Sequence, residues 1–96
     1  MTIVIRRVDL SAGARKDLRK APRSIVAKLR AWIDDVENNG LEEARRRPGY
    51  HDEPLHGERR GQRSVRLNRA WRAIYIVVDG GTVEFVEVEE VNKHVY

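Results

Sequence analysis

Cysteine is absent from the 96 residues, so neither a disulfide nor a thiolate metal site supplies stability or chemistry. That fits a reducing compartment. Long apolar runs are missing too. Met1 to Leu10 alternates apolar and charged residues where a signal peptide would carry an apolar stretch. No segment approaches the roughly 18 apolar residues of a membrane span, and the expected location is the cytoplasm. The three histidines, His51, His56 and His94, do not form a paired metal spacing with carboxylates on a helix. No glycine-rich loop runs into Lys-Ser/Thr, Gly57 and Gly61 being too sparse, and nothing resembles a nucleophilic serine elbow. Neither a metal nor a cofactor is therefore expected.

What is present is charge. At 96 residues the chain is long enough for one domain, 1–96, with a modest core drawn from its 41% apolar residues. The net charge of +4 is unevenly spread. From Arg45 to Arg72 nine arginines stand against three acids (Asp52, Glu53, Glu58), an excess of six, whereas Asp79 to Glu90 holds five acids and no base. Such a segment offers a surface to phosphates, and the guanidinium fork suits bidentate phosphate contacts. The bland alternative is a solvated arginine-rich loop.

The hydrophobic pattern predicts β-α-α-β-β-β. Thr2 to Val8 alternates as a short strand, and Ser11 to Lys20 reads as a basic helix ending before Pro22. Ile25, Leu29, Trp32, Ile33 and Val36 form the stripe of a second helix, opened at Pro22 and stopped at Asn38-Asn39-Gly40. Leu41 to Arg47 adds a helical turn, and Tyr50 to Gly61 reads as irregular and exposed. Arg63 to Asn68 has one wet face, Trp71 to Val78 is apolar on both, and Asp79-Gly80-Gly81 signals a hairpin. Thr82 to Val91 shifts its apolar phase after Phe85, which predicts a bulge, or burial on both sides, near Phe85. The expected class is α+β: two N-terminal helices on one face of a mainly antiparallel sheet.

Pro-Leu-His-Gly (54–57) ahead of an arginine-rich hairpin, the strand Trp-Arg-Ala-Ile-Tyr (71–75) and the end Lys-His-Val-Tyr (93–96), in this order, resemble the RelE-type toxins, whose relatives include YoeB, HigB and ParE. The resemblance covers essentially the whole chain. It implies a toxin of a type II toxin–antitoxin system, an endoribonuclease that cuts messenger RNA, on the ribosome, and is silenced by a cognate antitoxin. By position, Glu53 looks like the carboxylate general base, His56 like the basic residue beside it, and Arg72 like the arginine that holds the scissile phosphate. His94 and Tyr96 resemble the C-terminal catalytic pair. The departure is Val95: YoeB-like chains have His and Tyr adjacent, and in an extended segment the spacer puts both on one side.

The chemistry stands beside the resemblance. Metal-independent RNA cleavage needs a base for the 2′-hydroxyl, cations for the charge growing on phosphorus, and an acid for the leaving 5′-oxygen. Glu53 or His94 is the candidate base, Arg72 with Arg66 or Arg63 the clamp, and His94 or Tyr96 the acid. His56, Arg59, Arg60, Arg63, Arg66 and Lys93 are the candidate RNA contacts. Arg15, Lys16, Arg19, Lys20, Arg23, Lys28 and Arg30 on the helices offer a further basic surface for ribosomal RNA. Each has a plain alternative: Arg72 could cap its strand face through a salt bridge, and Trp32 and Trp71 belong to the core, unless Trp71 stacks a base at the rim. Two other functions share these features. One is a ParE-like inhibitor of DNA gyrase, whose members generally lack the C-terminal acid–base pair; the other is a non-catalytic nucleic-acid-binding domain.

Overall fold

In the computed structural model, which describes residues 4–78 and 80–91, the predicted apolar stripe becomes helix α2 (Arg23–Asn39), with Ile25, Leu29, Trp32 and Val36 all buried. Pro22 stands at its N-cap, where a missing N–H costs nothing. Gly40 ends it with φ 89°, a conformation open to glycine, and a Cβ there would sit 2.9 Å from Val4 Cγ1. The preceding helix α1 (Ala12–Lys20) starts at Ser11, whose hydroxyl accepts from the Ala14 N–H at 3.0 Å. A short α3 (Leu41–Arg45) follows α2 and buries Leu41 and Ala44.

Among the described residues five strands form one sheet: β1 (Arg7–Leu10), β2 (Glu53–Pro54), β3 (Arg63–Arg66), β4 (Trp71–Val78) and β5 (Thr82–Glu90). Their order is β1-β5-β4-β3-β2, with β1 parallel to β5 and the other pairings antiparallel. β4 is central, as its apolar composition predicts. Val65, Ala73, Tyr75, Val83, Phe85 and Val88 point to the helices and make the core with them. Trp32, Tyr75 and Phe85 meet there with ring centroids 5.3–5.6 Å apart in tilted and edge-on geometries. The fold is therefore α+β, as expected.

Three expectations need correction. The first strand is Arg7–Leu10, not Thr2 to Val8: its partner β5 begins at Thr82 opposite Arg7, and the carbonyl of Ile5 instead accepts from the Leu41 N–H at 2.8 Å. Met1 to Ile3 lie outside the described residues. The loop from Tyr50 to Gly61 is not wholly irregular, because Glu53–Pro54 pairs with Ser64 and Arg63 as an edge strand and two 3₁₀ turns flank it. The third sheet strand stops at Arg66, since the Leu67 and Asn68 N–H groups both turn back to the Trp71 carbonyl.

The expected bulge is present. Ile74 pairs with Glu87 but Tyr75 with Phe85, so Val86 is the extra residue. Val83 and Phe85 face the helices before it and Val88 after it, which sends Glu84, Glu87 and Glu89 to the opposite face. β1 ends opposite Phe85, and α1 covers the edge of β5 beyond it: Ser11 Oγ donates to the Val86 carbonyl at 3.2 Å, and Asp17 accepts from the Val88 N–H at 2.9 Å. No helix among the described residues is long and apolar enough to cross a membrane.

Candidate functional site

The face of the sheet turned away from the helices carries the chemistry. Cross-strand register lays two rows over it: Glu53, Ser64, Ile74 and Glu87 in one, Arg66, Arg72 and Glu89 in the next. A cavity of about 310 Å³ opens over the β2-β3 side of these rows, lined by Glu53, Arg66, Arg69 and Arg72, with His51, Ser64, Asn68, Trp71 and Val91 completing the wall. Three arginines and one carboxylate thus stand in its wall.

Local structure fixes each wall. Asn68 accepts from the backbone N–H groups of Ala70 and Trp71 at 2.8 Å each, which shapes the turn from β3 into β4 and sets Trp71 half-buried at the rim. Val91 closes the other end, its N–H donating to the Ala70 carbonyl at 2.6 Å. On the β2 side, His51 has φ 44° in the left-handed region. After it Asp52 turns inward, its side chain 0% exposed, and Glu53 faces the hollow. Asp52 accepts from Tyr75 Oη at 2.7 Å and from Arg63 Nε at 2.6 Å. Burial first, and the Asp52 carboxylate second, push the Tyr75 hydroxyl far above the ordinary tyrosine range, so it stays a donor.

Of the residues singled out by sequence, the structure brings Glu53, Arg66 and Arg72 to one hollow. It separates others from it. Arg63 pairs opposite Tyr75, on the helix side, and is held by Asp52, so it shares no face with Arg72 and is a structural cation. Arg59 pairs with Glu87 and reaches Glu89 at 3.8 Å. His56 and Arg60 are exposed beside the second 3₁₀ turn and do not line the hollow. Lys93, His94 and Tyr96 lie outside the described residues.

Sequence reasoning missed Glu89. Its carboxylate accepts from Arg72 Nε at 2.7 Å and lies 2.5 Å from Arg72 Nη2, so the strand-capping salt bridge weighed for Arg72 exists. A hydrogen bond between Glu87 and Glu89 raises the former's pKa and lowers the latter's, Arg72 helping to hold Glu89 charged. The spacing Glu-Val-Glu carried the signal: residues two apart on a strand share a face. The Asp52–Tyr75 link, 23 residues apart in the chain, had no such sign. Among the described residues no three His, Asp or Glu side chains gather in a way that would hold a metal ion.

Several solved structures share this architecture. YafQ from E. coli strain BL21(DE3) superposes with a TM-score of 0.71 at 24% identity, over 88% of this chain and 92% of that one. The toxin–antitoxin complex RelBE2 of Mycobacterium tuberculosis gives a TM-score of 0.67 at 27% identity, over 91% and 99%. The E. coli DinJ–YafQ toxin–antitoxin complex gives 0.70 at 24% identity, over 96% and 99%. No family model and no curated protein sequence matches the chain.

Proposed function

Because the chain has the fold of the RelE/ParE toxin superfamily, we propose that it is the toxin of a type II toxin–antitoxin pair, acting in the cytoplasm as a metal-independent endoribonuclease on messenger RNA. The observation that carries the reading is the hollow itself: Arg66 and Arg72, directly opposed on β3 and β4, share it with the carboxylate of Glu53. Two like charges placed face to face on neighbouring strands repel unless an anion lies between or beside them. Glu89 answers that demand for Arg72 in the resting protein; a phosphodiester reaching both guanidinium groups answers it for the pair, and Arg72 then stabilises the charge that builds on phosphorus as the 2′-oxygen attacks. Glu53 or His94 takes the 2′-hydroxyl proton, and His94 or Tyr96 protonates the leaving 5′-oxygen. His94 follows Val91, at the wall of the hollow, by three residues, a span of at most about 11 Å. Trp71 at the rim offers a plane for a base to stack on.

The basic residues of the helices, Arg15, Lys16, Arg19, Lys20, Arg23, Lys28 and Arg30, are all exposed and offer further cations to ribosomal RNA. The partner that silences the toxin is an antitoxin, as in the RelBE2 and DinJ–YafQ complexes.

The test is incubation of the protein with messenger RNA, once without ribosomes in EDTA and once with ribosomes in magnesium buffer. Expected are fragments ending in 2′,3′-cyclic or 3′-phosphate, and a rate lowered about 10²–10³-fold in Arg72→Ala and about 10²–10⁴-fold in His94→Ala, with both variants folded. Intact RNA with blocked DNA supercoiling would favour gyrase inhibition, and binding without cleavage a non-catalytic role; either result contradicts the proposal.

A further inference from the structure

Arg72 is not idle in this structure. Nε and Nη2, the two nitrogens along one edge of its guanidinium fork, both engage Glu89, at 2.7 and 2.5 Å. That edge is the one a phosphate would use for a bidentate contact. Glu89 in turn stands beside a second cation, Arg59 Nη1, at 3.8 Å. Arg59 is itself anchored, its Nε donating to Gln62 Oε1 at 3.0 Å and its Nη2 to Glu87. Two guanidinium groups and two carboxyl groups thus form a chain, Arg72–Glu89–Arg59–Glu87, across β4, β5 and the second 3₁₀ turn, on the face that holds the hollow.

We infer that Glu89 is an affinity-determining residue of the RNA site, a resident carboxylate that a phosphodiester must displace from Arg72 before it can be bound there. The inference rests on the nuclease reading of the hollow and names the interaction that reading left out. Displacement leaves no orphan charge: a carboxylate released from Arg72 is already within 4 Å of Arg59 and remains paired. Competition also sorts ground state from transition state. A phosphodiester carries one negative charge, as Glu89 does, and so gains little by the exchange. The phosphorane-like transition state carries more, and gains more from the same guanidinium. Glu89 therefore weakens the grip on uncut RNA more than it slows cutting. The β5 bulge is what makes this possible, since it turns Glu87 and Glu89 to the Arg72 face.

Binding of a non-cleavable, 2′-O-methylated single-stranded RNA, read by fluorescence anisotropy across a salt series, tests it. In Glu89→Gln, close in size but uncharged, the RNA should bind about five- to tenfold tighter. The log affinity should also fall more steeply with log salt, by about 0.7, the mark of one further cation released to the backbone. Glu89→Asp, which keeps the charge, should retain the parental slope. The gain should vanish in Arg72→Ala/Glu89→Gln, because no guanidinium is then freed. RNA that binds through Arg72 with unchanged or weaker affinity in Glu89→Gln overturns the inference and leaves the nuclease reading standing. RNA that does not bind the parent protein overturns both. Should Glu89→Gln fail to fold, the Arg72 Nε–H resonance of the parent protein decides: it shifts on adding the RNA if Glu89 is displaced, and an unmoved signal at saturation counts against the exchange.

Discussion

Two arginines nine residues apart show how side-chain direction decides role. Arg63 and Arg72 belong to the same basic run, yet the register places Arg63 opposite Tyr75 on the helix side and Arg72 opposite Arg66 on the open side. Arg63 neutralises a fully buried carboxylate, so Arg63→Ala strands Asp52 and should lower unfolding stability by about 3 kcal/mol in urea titration. Arg72, 32% exposed and paired with a partly exposed acid, should cost at most about 1 kcal/mol when truncated, while nuclease activity collapses. A reversal of the two effects would contradict the assignment. Tyr75 gives a pH signature. Its folded-state pKa lies above the ordinary value of 10, so the folded state holds the proton where the unfolded chain has lost it. That contribution is intact below pH 10 and fades as pH rises beyond it. The urea midpoint should therefore fall less between pH 8 and 10.5 in Tyr75→Phe than in the parent, despite a lower starting stability.

At the scale of elements, the bulge in β5 was legible because Val83 and Phe85 differ in parity from Val88, and only an extra residue reconciles them with one core. Helix α2 was legible because five apolar residues at helical spacing leave no other period. β1 was misplaced by several residues, since alternation runs through Thr2 to Val8 and says nothing about where a parallel partner begins. β2 was missed because two residues carry no period at all; its pairing comes from tertiary placement of the loop. What holds the bulge is α1, through Ser11 and Asp17. Asp17→Ala should leave the Val88 N–H without its partner at the β5 edge, speed its hydrogen exchange and that of its neighbours, and cost about 1–2 kcal/mol. Exchange at Val88 no faster than in the parent would show that the edge is held by something else.

For the molecule as a whole, the charge asymmetry visible in the sequence survives folding only in part. The basic run from Arg45 to Arg72 does not form one patch: Arg47 pairs with Asp35, Arg59 with Glu87, Arg63 with Asp52 and Arg72 with Glu89, while Arg66, Arg69 and Arg72 line the hollow. Composition overstated the unneutralised positive surface because acids distant in the chain meet these arginines in space. The hollow's position was legible once the strand phases were known, whereas its neutralising acid was not, since no local rule pairs residues 72 and 89. The central claim is that this hollow directs RNA's own 2′-oxygen at the phosphate clamped by Arg72. The most direct measurement is the single-turnover cleavage rate, on ribosomes, of a message carrying one 2′-deoxynucleotide immediately 5′ of the cut. The account predicts that cleavage at that phosphate disappears while neighbouring sites are cut as before; cleavage there at an undiminished rate would contradict it.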